Sequence, residues 1–151
     1  MTFDPESFRH AMRAWTTGVA ILTAAHEGEA HGMTINSFTS ISLDPPLVAV
    51  SLKNDSLTFD LAMKSRAFRV TILSADQREA ADNFAGKLHG AERMADSASI
   101  LDGGLARLDC RVIHTYEAGA NTLFIAEVTE ASVRSTENPL VYHDRGYHHL
   151  Q

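Results

Sequence analysis

A chain of 151 residues, 44% hydrophobic and 21% charged, has the size and composition of one soluble globular domain, and no apolar run approaches the ~20 residues of a membrane-spanning helix. Its net charge of −6, with basic residues dispersed, excludes the clustered basic face with which proteins neutralise nucleic-acid phosphates. The single cysteine, Cys110, excludes an intrachain disulfide and a cysteine-pair metal site, and the polar first residues carry no export signal, so the cytoplasm is the expected location.

In chain order, Asp4 before Pro5 reads as an N-cap with proline at the first helical position, and Phe8, Met12 and Trp15 follow at helical spacing. A short opening helix is predicted. "GVAILTAAHEGEAHGMTI" (residues 18–35) is a β-rich run, a glycine-containing turn and a second extended run, as in a hairpin. Pro45-Pro46 interrupts pairing, and "LVAVSL" at 47–52 is a nearly continuous apolar strand.

A second helix is predicted from "NDSLTFDLAMKS", with Ser56 as N-cap and Leu57, Leu61 and Ala62 on one face. Strand "AFRVTIL" follows at 67–73. Ser74 and Gln77 stand in capping-box spacing, and Gly86 is a good stop, giving a third helix over 75–85. Residues 87–104 carry weak patterning and read as a long loop. Two long strands flank a turn at 118–121, and "PLVYHDRGYHHL" adds a last short strand or pair. The expectation is a single domain over 1–151 with six or seven mostly antiparallel strands and two or three peripheral helices. A small barrel is its natural closure, because closing a sheet removes the exposed edges.

Several common catalytic patterns are missing: a nucleophile elbow, a Walker loop and a dinucleotide fingerprint after a strand. Of eight histidines, His10, His26, His31, His89 and His114 are scattered, while His143, His148 and His149 cluster without a carboxylate at ligand spacing, so no metal site is expected. Two segments carry more information. In "GMTINSFTSISLDPP" (32–46) the polar Thr34, Asn36, Ser37, Thr39, Ser40 and Ser42 are interleaved with Met33, Ile35, Phe38 and Ile41. Such a pattern suits a strand with one solvated face, or a strand bending into a loop whose polar groups pair with a heterocyclic ligand. "SLKNDSLT" (51–58) joins a strand end at Ser51, Leu52 and Lys53 to a helix start with hydroxyls at Ser56 and Thr58. Free N–H groups, the helix dipole and a lysine make an anion site there; ordinary capping by Ser56 is the alternative, and Asp55 must point away from any phosphate.

Together with "FRHAMRAWTTGVAILTA" near the start and "NPLVYHDRGYHHL" near the end, these segments resemble the flavin reductase family built on the FMN-binding split barrel. "GMTINSFTSISLDPPLVAVSL" is the most specific stretch, and "FRVTILSADQREAADNFAGK" and "LFIAEV" are further matches. The resemblance implies a mainly β Greek-key split barrel and an NAD(P)H:flavin oxidoreductase that transfers hydride from NADH or NADPH to FMN or FAD. It also implies a homodimer and a flavin-dependent monooxygenase as recipient of the reduced flavin. Carried over by position, it places Thr34, Asn36 and Ser37 at the isoalloxazine and ribityl chain, and Ser51, Leu52 and Lys53 along the flavin. Ser56 and Thr58 fall at its phosphate, and Ala85 beside it at the end of the third helix. One turn departs from the pattern. Where the family commonly has Gly-Asp-His before "LFIGEV", this chain reads "AGANTLFIAEV", with Asn121 at the histidine's place. An amide donates a hydrogen bond but carries no proton or charge at neutral pH. His143, with Arg145 and Tyr147, is a candidate to take over on the nicotinamide side, and a flavin-binding sensor or storage protein with little reductase activity is the alternative function.

Overall fold

The computed structural model describes residues 2–87 and 103–151. Helix α1 (Pro5–Arg13) starts as the sequence predicts, with the Asp4 carboxylate accepting from the amides of Glu6 at 3.1 Å and Ser7 at 3.3 Å. Strand β1 (Thr17–Gly18) is a stub, and β2 (Ala20–His26) pairs with β3 (Glu29–Ile35) in the expected hairpin. Its turn residues Glu27 and Gly28 both have positive φ, the geometry that matches strand twist in two-residue loops. Next come β4 (Thr39–Leu43), β5 (Pro46–Lys53), α2 (Leu57–Ser65) and β6 (Ala67–Ile72). Pro46 opens β5 rather than interrupting it, since the first residue of a strand can lack an N–H.

The third helical segment is less regular than predicted. A tight turn at Ala75–Gln77 precedes the short α3 (Arg78–Asp82), and a wider turn at Asn83–Lys87 ends it. The Ser74 amide donates to the Gln77 side chain at 2.9 Å, which tightens the first turn, and Gly86 leaves the helical region at φ 126°. Most of the loop expected over 87–104 lies outside the described residues. The long strands β7 (Ala106–Ala118) and β8 (Asn121–Val133) follow, then the short hairpin β9 (Leu140–His143) and β10 (Gly146–His149).

Seven strands form one antiparallel sheet in the order β3-β2-β6-β7-β8-β5-β4, and β1, β9 and β10 make a small second sheet beyond the expected count. In the large sheet β6, β7 and β8 form a meander. β5 lies beside β8 but reaches β6 through α2, which is the Greek-key connection. The edge strands β3 and β4 are joined by residues 36–38 alone. Six strand spacings of about 4.8 Å would hold the edges of a flat sheet roughly 29 Å apart, whereas four Cα steps reach at most about 15 Å. The sheet must curl until its edges meet, and since β3 and β4 do not pair, the barrel stays split where residues 36–38 cross.

Leu22, Val50, Leu52, Val70 and Phe124 fill the interior, and α2 adds Leu61 and Ala62. Val19, just before β2, and Ile21, facing outward from it, join a second cluster with Leu73, Ala81, Phe84 and Leu140. Both faces of β2 are therefore buried, which accounts for its unbroken apolar run. Gly32 on β3 permits this packing, because a Cβ there would stand 2.8 Å from the Phe84 ring. Helix α1 buries none of its residues, and Phe8, Met12 and Trp15 are 55%, 48% and 67% exposed.

Candidate functional site

The split in the barrel organises the site. Beyond Thr39, paired with Ala49, the chain leaves β5, and the ladder is continued by a side chain. The Ser37 hydroxyl donates to the Ser51 carbonyl at 2.9 Å and accepts from the Ser51 amide at 3.2 Å. On the Ser51 side chain, Oγ accepts from Asn121 Nδ2 at 2.9 Å. Asn121 opens β8 directly opposite Lys53, the exposed last residue of β5. Ser37, Ser51, Lys53 and Asn121, drawn from three separate segments of sequence, thus meet at one end of the barrel.

Asn36 faces the other side of the crossing. With Thr34, Ala85, Tyr142 and Tyr147 it lines a recess of about 190 Å³. The Thr34 hydroxyl donates to the Ala81 carbonyl at 2.6 Å, pinning α3 to β3, so Thr34 shapes this recess with its donor already used. The rings of Tyr142 and Tyr147 stand 5.7 Å apart on facing strands, with the Arg78 guanidinium 5.8 Å from the Tyr147 centroid. Burial, with the nearby charge of Asp82 next, pushes the Tyr147 phenol above its ordinary pKa, so it stays a neutral donor at neutral pH. Asn36 and Tyr142 also border a wider groove of about 610 Å³ walled by Phe8 and Met12 of α1, by Trp15 just beyond it and by Arg145.

At the start of α2, Ser56 takes the capping role predicted for it, while Thr58 has a task other than the phosphate contact that the resemblance implies. Ser56 is the N-cap: its Oγ accepts from the Phe59 amide at 3.1 Å and donates to the Lys53 carbonyl at 2.8 Å. Thr58 is fully buried, and its hydroxyl bonds His31 Nδ1 at 2.7 Å, fastening the helix to β3. It cannot face a phosphate from there. Leu52 is likewise fully buried in the core, so only its backbone borders the site. What remains for an anion is Lys53 and the Leu57 and Thr58 amides, which have no intrahelical acceptor.

His143 is not brought to Asn121. Successive side chains on β9 point to opposite faces, and as Tyr142 takes the recess, His143 turns to the Thr16 hydroxyl, 2.9 Å from Nδ1. Its neighbours in the motif divide, Arg145 to the groove and Tyr147 to the recess. Tyr142 is the residue that sequence reasoning missed; the signal was the register of "YHDRGY", a two-residue hairpin turn that sets the two tyrosines opposite each other. Cys110 is buried, and burial pushes its thiol up to about 12, so it stays protonated and unreactive. Among the described residues no three metal-ligating side chains converge, and no helix is long and apolar enough to cross a membrane.

Residues 12–151 match the model of the flavin reductase like domain. The reductase component of a 4-nitrophenol 4-monooxygenase/4-nitrocatechol 2-monooxygenase from Rhodococcus opacus is 38% identical, over 97% of this chain and 82% of that protein. An NADH-dependent flavin reductase from a Rhodococcus species is 33% identical over 98% of this chain and 90% of the relative. Among solved structures, flavin reductase PheA2 in its native state superposes with a TM-score of 0.85 at 33% identity, covering 99% of each chain. None of these comparisons supports the sensor or storage alternative.

Proposed function

Because the chain belongs to the flavin reductase-like family, we propose that it transfers hydride from NADH to FMN or FAD and supplies the reduced flavin to a monooxygenase partner. The observation that carries this reading is the meeting of Ser37, Ser51, Lys53 and Asn121 at the split, beside the start of α2, with Asn36 on the other side of the same crossing at the tyrosine recess.

The residues fit a flavin. A fused aromatic ring with apolar faces and a polar edge suits a recess walled by Ala85, Tyr142 and Tyr147 and edged by Thr34 and Asn36. A phosphate suits Lys53 and the open amides of α2. Bound flavin supplies the ring that accepts hydride from the nicotinamide. The protein's part is placement and electrostatics. The exposed Asn36 amide offers donor and acceptor to the ring edge, and Ser37 fixes the crossing on which Asn36 rides. Asn121 keeps one amide N–H and its Oδ1 after bonding Ser51, a pair that complements a carboxamide. It exchanges no proton at neutral pH, so hydride transfer here rests on stacking and orientation.

The reading includes a single domain over 1–151, a cytoplasmic setting and a homodimer. Support for the second copy is the uncovered apolar side of α1 together with Ile41 and Leu43 on β4, 48% and 89% exposed. The test is a titration of purified protein into FMN and FAD, followed by NADH absorbance in excess free flavin. Quenched flavin fluorescence and catalytic NADH consumption are expected; a protein that binds flavin yet leaves NADH at background overturns the reductase reading.

A further inference from the structure

Asn54 sits between the end of β5 and the cap of α2, and it grips the β7–β8 turn at three points. Its backbone N–H donates to the Ala120 carbonyl at 3.0 Å. Its side-chain Nδ2 donates to the Gly119 carbonyl at 3.4 Å, and its Oδ1 accepts from the Thr122 hydroxyl at 2.6 Å. The amide has one consistent orientation, because turning it over would set Oδ1 against the Gly119 oxygen. Thr122 is 3% exposed, so its hydroxyl depends on this partner. Between Ala120 and Thr122 lies Asn121, whose side chain leaves the opposite face of β8 to reach Ser51. Asn54 therefore holds the chain on both sides of Asn121 while being covalently next to Lys53.

We propose that Asn54 is a positioning residue that fixes the height and direction of Asn121 over Ser51 and so sets where the nicotinamide rests. The inference rests on the reductase reading given above. Asn54 touches neither flavin nor nicotinamide in this account; it acts through the turn, and the smallest loosening there displaces Asn121 directly. A shift of about 1 Å in a positioning element costs up to ~100-fold in rate, so even a partial release is measurable.

The experiment is a double-mutant cycle with Asn54→Ala, Asn121→Ala and the pair, measuring flavin Kd separately from kcat and KM for NADH. Asn54→Ala is expected to lower kcat/KM for NADH about tenfold while flavin Kd moves less than about twofold, and to add nothing further in the Asn121→Ala background. Asn54→Asp keeps the acceptor for Thr122 and loses the donor to Gly119, so it is expected to recover part of the loss. Should Asn54→Ala fail to fold, Thr122→Val removes one of the three bonds without changing side-chain shape, and the same cycle is run with it. Equal losses in both backgrounds, or a loss confined to flavin binding, overturn the proposal. A wild-type chain that binds flavin but consumes no NADH overturns the reductase reading and this inference with it; wild-type turnover with additive variants overturns this inference alone.

Discussion

One hydroxyl holds the split barrel at its opening: Ser37 Oγ donates to the carbonyl of Ser51 and accepts from its amide, standing in for a strand that has turned away. Ser37→Ala leaves both backbone groups of Ser51 to water and frees the crossing that carries Asn36. Since the pair is partly solvated, the stability lost is about 1 kcal/mol. Flavin binding is expected to weaken more, by about tenfold, because the crossing no longer holds Asn36 in place. Chemical denaturation and fluorescence titration measure the two effects; unchanged flavin affinity would separate residues 36–38 from the cofactor.

If a flavin phosphate rests at the start of α2 as proposed, Lys53 is the cation that faces it, for the Ser56 and Thr58 hydroxyls are engaged with the Phe59 amide and His31. Removing the amino group in Lys53→Ala should weaken FMN by about tenfold and leave riboflavin nearly unaffected, as only FMN carries the phosphate. The check is a pair of fluorescence titrations. Equal losses for the two flavins refute the phosphate assignment.

Much of this was legible in sequence because local chemistry determined it. Asp4-Pro5, Ser56 and Gly86 punctuate helices through their own backbone preferences, and the two-sided burial of β2 is written in its apolar run. The irregular alternation around Thr34, Asn36 and Ser37 marks a strand that bends into a loop, and the crossing at 36–38 is that bend; their assignment to a flavin comes from the resemblance and not from the alternation. The fates of Thr58 and Leu52 were not legible, because which way a hydroxyl or a strand side chain faces depends on partners distant in sequence: His31 in one case and the barrel interior in the other. The facing of His143 toward Thr16 is hidden for the same reason, as that of β9 is set by its pairing with β1 and β10. The exposed α1 shows a further limit, for helical spacing of apolar residues tells that a face needs cover, and not which molecule covers it.

On the outer face of the sheet, Arg69 Nε lies 2.5 Å from Asp109 Oδ1, with Nη2 3.3 Å from Oδ2, in register across β6 and β7. The hydrogen bond from Arg69 holds the Asp109 carboxyl below the ordinary range, outweighing the opposing effect of burial. A carboxyl with a depressed folded-state pKa contributes stability above its unfolded pKa of about 3.9 and loses it as pH falls through the folded value. Thermal melts should therefore show the wild type losing stability below about pH 4, with Asp109→Asn showing a smaller drop over the same window. Parallel curves for the two proteins would remove this pair from the acid response.

Asn121 stands where the family resemblance implies a histidine, and its geometry makes that difference testable. It already bonds Ser51 at 2.9 Å and faces Lys53 across the ladder, so an imidazole at this position has a ready acceptor in Ser51 Oγ for one ring nitrogen. The other nitrogen would face outward, free to meet the nicotinamide. Asn121→His should raise kcat/KM for NADH by a factor on the order of 10, since an ionisable donor replaces a neutral amide. The pH profile discriminates the cause. An imidazole that meets the substrate introduces an inflection in kcat/KM between about pH 6 and 7, where histidine titrates, that the wild type lacks. If turnover rises without that inflection, the gain comes from packing rather than charge. If neither turnover nor the profile changes while flavin binding is intact, the β7–β8 turn does not meet the nicotinamide, and hydride transfer is organised wholly from the tyrosine recess beside Asn36.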